Sequence, residues 1–288
     1  MYATRKSSIM KKILFPTDYS ETANNAFKYA LQLANYREAE LYVLHVYDPP
    51  IISGGISPHL VENVIKKNDF EKLEQLHANS PALIETRREL NLEHVPVFFK
   101  VKEGLLIPEI LNAIEENHID FLVMGTDGAN ASFHKKLLGS NTINTITKVD
   151  IPVLSIPKEA HFRDLNNIIF TSRFEQEEEA TLDDLIKGVE ANKAHLKIVH
   201  VKSKGCVSCE EIYNKWKEKY KDAPVSFHIF NAENIEKTLL DFIEHEPVDL
   251  VATIKRNKTF IENILSKSVT QHLAKRLKVP FFVYKSKK

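Results

Sequence analysis

The chain repeats itself, and that constrains its fold more than any other feature. Lys11–Phe15 (KKILF) lines up with Asn166–Phe170 (NNIIF), 155 residues later. The same spacing carries Leu41–Val46 (LYVLHV) onto Leu196–Val201 (LKIVHV) without a gap. Further on, Asp120-Phe121-Leu122 meets Asp249-Leu250-Val251 at a spacing of 129, and Ile151-Pro152-Val153 meets Val279-Pro280-Phe281 at 128. The spacing falls between the second and third apolar runs, so the first copy carries an insertion there, about residues 50–92. Two copies in 288 residues agree with ~100–200 residues per domain. The expected domains are 1–158 and 159–288.

Within each copy, short apolar runs alternate with helical patterns, which predicts a parallel sheet covered on both faces. In the first copy the expected strands are 11–16, 39–46, 94–101, 120–124 and 151–156. Helices are expected over about 20–35, 105–117 and 139–148. In the first helix Ala23, Ala26, Phe27, Ala30, Leu31 and Ala34 form an apolar stripe at helical spacing. Five parallel strands joined by crossovers make a doubly wound α/β sheet. A ligand of such a sheet sits beyond the carboxyl ends of the strands, where the strand order reverses.

One glycine pattern occurs in the first copy alone. A run ending at Met124 is followed at once by Gly125 and Gly128, and Gly139-Ser140-Asn141-Thr142 then opens a helix. Glycines beyond a strand admit a ligand where a Cβ would block it. Free N–H groups at the helix start, with the hydroxyls of Ser140 and Thr142, suit a phosphate. The plainer alternatives are tight turns for the glycines and an ordinary helix cap for Ser140.

At these residues the chain resembles the universal stress protein family, whose nucleotide-binding members carry G-x2-G-x9-G-[ST] after the fourth strand. Gly125, Gly128, Gly139 and Ser140 match it, with ten residues rather than nine between Gly128 and Gly139. The opening segment KKILFPTDYSE places Asp18, preceded by Pro16 and Thr17, where the family holds adenine or ribose. Val46 matches its backbone contact to the base. The resemblance implies two tandem Rossmann-like sheets of the adenine nucleotide alpha hydrolase type, with strand order 3-2-1-4-5. It also implies ATP or another adenine nucleotide, with Mg²⁺, held by Pro16, Thr17, Asp18, Val46, Met124, Gly125, Gly128, Gly139, Ser140, Asn141 and Thr142. The two copies should pair as an intramolecular pseudo-dimer through their last strands, IPVLSIP and VPFFVY. A further homodimer is left open.

The second copy keeps the fold signals and loses the site. Arg173 stands opposite Asp18, Ile254 opposite Gly125, Asn257 opposite Gly128, and Lys267-Ser268-Val269 opposite Gly139-Ser140-Asn141. Side chains therefore obstruct a phosphate chain, and a cation replaces the aspartate. Lys255, Arg256, Lys258 and Lys267 could attract an anion or form a solvated basic face. The expected role of this half is a degenerate partner domain.

The two cysteines form one CxxC, Cys206 and Cys209. It reads as an inert pair, a redox switch, or half of a metal site completed by His195, His200 or His228. In the insertion, Leu60, Val61, Val64 and Ile65 form a short stripe, and Pro81 is expected to break the helical run. That segment would be a lid, a partner surface, or a helix packed on its own domain. Lys plus Arg and Asp plus Glu each number 39, so no net charge draws the chain to nucleic acid. No apolar run is long enough for a bilayer, and a cytoplasmic location is expected. There is no G-x4-GK-[ST] loop, and His45 and His200 are matched strand residues with a structural rather than catalytic reading. The expectation is a nucleotide-binding stress-response module, not an enzyme, with slow ATP hydrolysis as a by-product. Two other readings stay open: a protein-interaction scaffold without nucleotide, and a metal- or redox-responsive module acting through Cys206 and Cys209.

Overall fold

The structure is a computed structural model, and it describes residues 12–47, 81–126, 140–202, 208–232, 234–255 and 279–285. Its contacts divide the chain into two compact units, Met1–Met124 and Gly125–Lys288.

The first unit contains β1 (Lys12–Thr17), α1 (Glu21–Arg37), β2 (Glu40–Tyr47), helical residues 81–89 (α2), β3 (Val97–Glu103), α3 (Leu106–Asn117) and β4 (Phe121–Gly125), whose last residue opens the second unit. The strands are parallel in the order β3-β2-β1-β4. β1 is central, and Ile13, Leu14 and Phe15 are all buried, as a parallel strand covered on both faces requires. The stripe read from the sequence on α1 is buried in full: Ala23, Ala26, Phe27, Ala30, Leu31 and Ala34. Ser20 caps this helix by accepting from the Ala23 N–H at 3.2 Å, and Glu38 ends it in the left-handed region at φ 54°. Pro81 is the first described residue of α2, where a φ fixed near −65° is a helical value; the run it is expected to break lies before it, outside the described residues.

The second unit contains α4 (Ser140–Lys148), β5 (Val153–Ile156), β6 (Asn167–Thr171), a 3-10 turn (Gln176–Glu178), α5 (Glu179–Asn192), β7 (His195–Lys202), α6 (Ser208–Lys219), β8 (Val225–Asn231), α7 (Ile235–His245), β9 (Leu250–Lys255) and β10 (Phe281–Lys285). Its strand order is β5-β10-β9-β6-β7-β8. β6 to β10 are mutually parallel and show the doubly wound order, with β6 central between β7 and β9. β5 runs antiparallel to β10, with Leu154 opposite Phe282 and Val153 opposite Val283.

The repetition extends to element boundaries. β7 lies 155 residues after β2 and has the same length, and β8 lies 128 after β3. Division by repeat and division by contact differ at β5. By sequence it belongs to the first copy, whereas its pairing with β10 falls within the second unit. Among the described residues no helix is long and apolar enough to cross a membrane.

Candidate functional site

In the first unit, neighbouring strands bring Thr17, Val46 and Met124 to the same end of the sheet. Thr17 is in register with His45, one residue before Val46, and Leu14 with Leu122, two before Met124. Pro16, Thr17 and Met124 are buried, Val46 is half-buried, and Asp18 is exposed beyond the strand end. The chain then turns sharply into α1. Asp18 Oδ1 accepts from the Ser20 N–H at 3.0 Å, and Thr17 Oγ1 accepts from the Tyr19 N–H at 3.0 Å. Tyr19 takes a left-handed φ of 59°, uncommon for a bulky residue. Two contacts hold it there. The His45 ring lies 4.8 Å from the Tyr19 ring, and His45 Nδ1 lies 2.9 Å from the Thr17 carbonyl oxygen.

In the second unit, the glycine that ends β4 is tied to the start of a helix. Thr142 Oγ1 donates to the Gly125 carbonyl at 2.9 Å, and the Thr126 N–H donates to the Ile156 carbonyl at 3.1 Å. Thr142 is 2% exposed. Its hydroxyl was expected to face phosphate, but it places its one hydrogen on Gly125 and so positions the turn. Ser140 begins α4 and Asn141 is exposed in its first turn. Gly128 and Gly139 lie outside the described residues.

The corner between β6 and α5 repeats that between β1 and α1 at the spacing of 155. Phe174, counterpart of Tyr19, has φ 55°, and its N–H donates to Ser172 Oγ at 2.9 Å. His200 Nδ1 lies 2.8 Å from the Ser172 carbonyl, and its ring lies 5.0 Å from that of Phe174. Burial holds the His200 pKa below the ordinary imidazole value, against the opposing hydrogen bond to Ser172. Both matched histidines therefore brace a backbone corner, as their structural reading required. The corner geometry was missed from sequence. The signal for it was the pair of aromatic residues, Tyr19 and Phe174, at the repeat spacing.

Other expected groups have other uses. Lys255 Nζ donates to the Val149 carbonyl at 3.0 Å, near the end of α4. His195 and His228 both place Nε2 on Ser226 Oγ, at 2.9 and 3.0 Å. Cys206 lies outside the described residues, as do Arg256, Lys258, Lys267 and the whole of the insertion up to residue 80, while Cys209 falls in the first turn of α6. Among the described residues no group of three or more His, Cys, Asp or Glu could hold a metal ion.

Residues 10–157 match the model of the universal stress protein family. The chain belongs to that family. It is 31% identical over 173 residues to universal stress protein MJ0577 of Methanocaldococcus jannaschii, covering 53% of this chain and 98% of that protein. It is 28% identical over 153 residues to universal stress protein MJ0531 of the same organism, covering 52% and 84%. The fold is that of a universal stress protein from Archaeoglobus fulgidus, with a TM-score of 0.65, 19% identity and 96% of each chain covered.

Proposed function

We propose that the first repeat, residues 1–158, binds an adenine nucleotide, with ATP and Mg²⁺ the favoured pair, and that the chain acts as a sensor or regulatory module in a stress response. Asp18 and Val46, with Pro16, Thr17 and Met124 beside them, hold the adenosine. Gly125, Gly128, Gly139, Ser140 and Asn141 wrap the phosphates, and Thr142 fixes Gly125. The bond from Thr142 to Gly125 carries this reading. It ties the glycine at the end of β4 to the first turn of a helix, whose N–H groups and positive dipole end favour an anion. Mg²⁺ would supply charge neutralisation on the phosphate oxygens.

No dedicated catalysis is proposed. Phosphoryl transfer needs a group that positions the attacking nucleophile, and His45, the matched strand histidine, braces a backbone corner instead. The second repeat, residues 159–288, is a partner without its own nucleotide, consistent with Arg173 and Ile254 in place of Asp18 and Gly125. The antiparallel pairing of β5 with β10 supports a pseudo-dimer through the last strands of the two repeats.

The experiment is identification of small molecules released when the purified protein is denatured. An adenine nucleotide near one per chain, absent from a Gly128→Trp variant that folds, supports the reading. A folded wild-type protein that neither carries nor takes up nucleotide would make the chain an interaction scaffold.

A further inference from the structure

The two matched corners satisfy the same backbone donor with carboxylates from different places. In the first copy the Ser20 N–H is bonded by Asp18, an exposed residue of the corner itself. In the second copy the corresponding N–H is that of Glu175, and the residue matching Asp18 is Arg173, which has no acceptor to offer. The carboxylate comes instead from Glu178, at the end of the 3-10 turn. Glu178 Oε2 accepts from the Glu175 N–H at 3.2 Å, the Arg173 N–H at 3.1 Å and the Ser172 hydroxyl at 2.6 Å. Its Oε1 lies 3.3 Å from the same Arg173 nitrogen. The residue is 0% exposed. The position matching Glu178 in the first copy is Ala23, a buried residue without a polar side chain.

A buried carboxylate is costly unless its lone pairs are filled. Here they are filled by two backbone N–H groups and a hydroxyl, a convergent donor set of the kind that binds anions. We propose that Glu178 is a built-in anionic ligand of the second copy. It occupies the donors of the corner from inside and fixes the shape of that corner without a bound small molecule. The first copy presents its corner carboxylate at the surface instead. The second copy is therefore self-liganded as well as stripped of glycines. This inference does not depend on nucleotide binding by the first repeat, since every contact lies between Ser172 and Glu178.

The test compares wild type with Glu178→Ala, which restores the residue of the first copy, and Glu178→Gln, which keeps one acceptor oxygen. Amide hydrogen exchange is read at Arg173 and Glu175 in the full chain. Trp216, the single tryptophan, is fully buried with its ring 5.5 Å from Phe174, so its emission reports on the same corner. Exchange at both amides should rise roughly tenfold or more in Glu178→Ala, as expected for loss of a charge-assisted hydrogen bond. It should rise by a smaller factor in Glu178→Gln. Added acetate should slow exchange in the alanine variant, or restore its native Trp216 emission if it unfolds, and leave wild type unchanged. Wild-type exchange in a folded Glu178→Ala, or in Glu178→Gln, overturns the proposal. So does an alanine variant that acetate leaves unchanged.

Discussion

His45 Nδ1 lies 2.9 Å from the carbonyl oxygen of Thr17, and 155 residues later His200 Nδ1 lies 2.8 Å from that of Ser172. In each copy a histidine of the second strand thus pins the corner at the end of the first strand, where the chain passes through a left-handed aromatic residue. The two braces differ in solvent access. His200 is buried and His45 is half-buried.

That difference gives a pH dependence with a definite sign. The pKa of His200 is lowered by burial, so between its folded value and about 6.5 the unfolded chain binds more protons. Stability should therefore fall as pH drops below about 6.5 and level off below the folded pKa. Urea unfolding followed by Trp216 emission at pH 7.5 and pH 5.5 should show this loss in wild type. A His200→Phe variant should lose about 1 kcal/mol at pH 7.5 from the missing hydrogen bond and show a shallower pH dependence. An unchanged slope would remove His200 from the explanation.

Thr142→Val keeps the shape of the side chain and removes the hydrogen that Gly125 accepts. The bond is part-buried, so its loss should cost about 1 kcal/mol and the variant should unfold at lower urea. If Gly125 shapes the phosphate turn, nucleotide affinity should also fall by roughly tenfold. Thr142→Ser keeps the hydroxyl and should retain most of both. Equal behaviour of the valine and serine variants would show that the bond does not position the turn.

Glu179 sits between Lys215 and Lys219, each 2.7 Å away, and their hydrogen bonds lower its pKa to about 2. A carboxylate with a lowered folded pKa contributes stability above its unfolded value. That contribution is lost as pH falls from about 4.5 through about 2. Both lysines are exposed to solvent, so the network is worth no more than about 1 kcal/mol. Glu179→Gln should lower stability by that amount at pH 7 and show less acid loss between pH 4.5 and pH 2 in salt-matched melts.

Strand and helix positions were legible because the apolar periods are strong. The buried α1 stripe and the central run Ile13–Phe15 follow directly from alternation and spacing. The doubly wound order came from the resemblance, since spacing alone cannot say which strands pair. The roles of individual polar groups were less legible. Thr142 and Ser140 look alike as hydroxyls at a helix start, and only the bond to Gly125 shows that Thr142 serves the backbone. Glu178 carries no signal in the sequence, because nothing local in EQEEE marks a side chain that folds back on its own corner. His45 and His200 were readable as structural from their shared register. Their acceptors were not, because those carbonyls lie 28 residues earlier in the chain.

The most direct test is calorimetric titration of ATP–Mg²⁺ into nucleotide-stripped protein, beside Asp18→Ala and Gly128→Trp variants. The account predicts one site per chain, weakened by roughly tenfold or more in Asp18→Ala, as loss of a hydrogen bond to a charged group implies, and abolished in Gly128→Trp. Two sites per chain would contradict the silent second repeat. No heat and no thermal shift at millimolar ATP would contradict the nucleotide site itself.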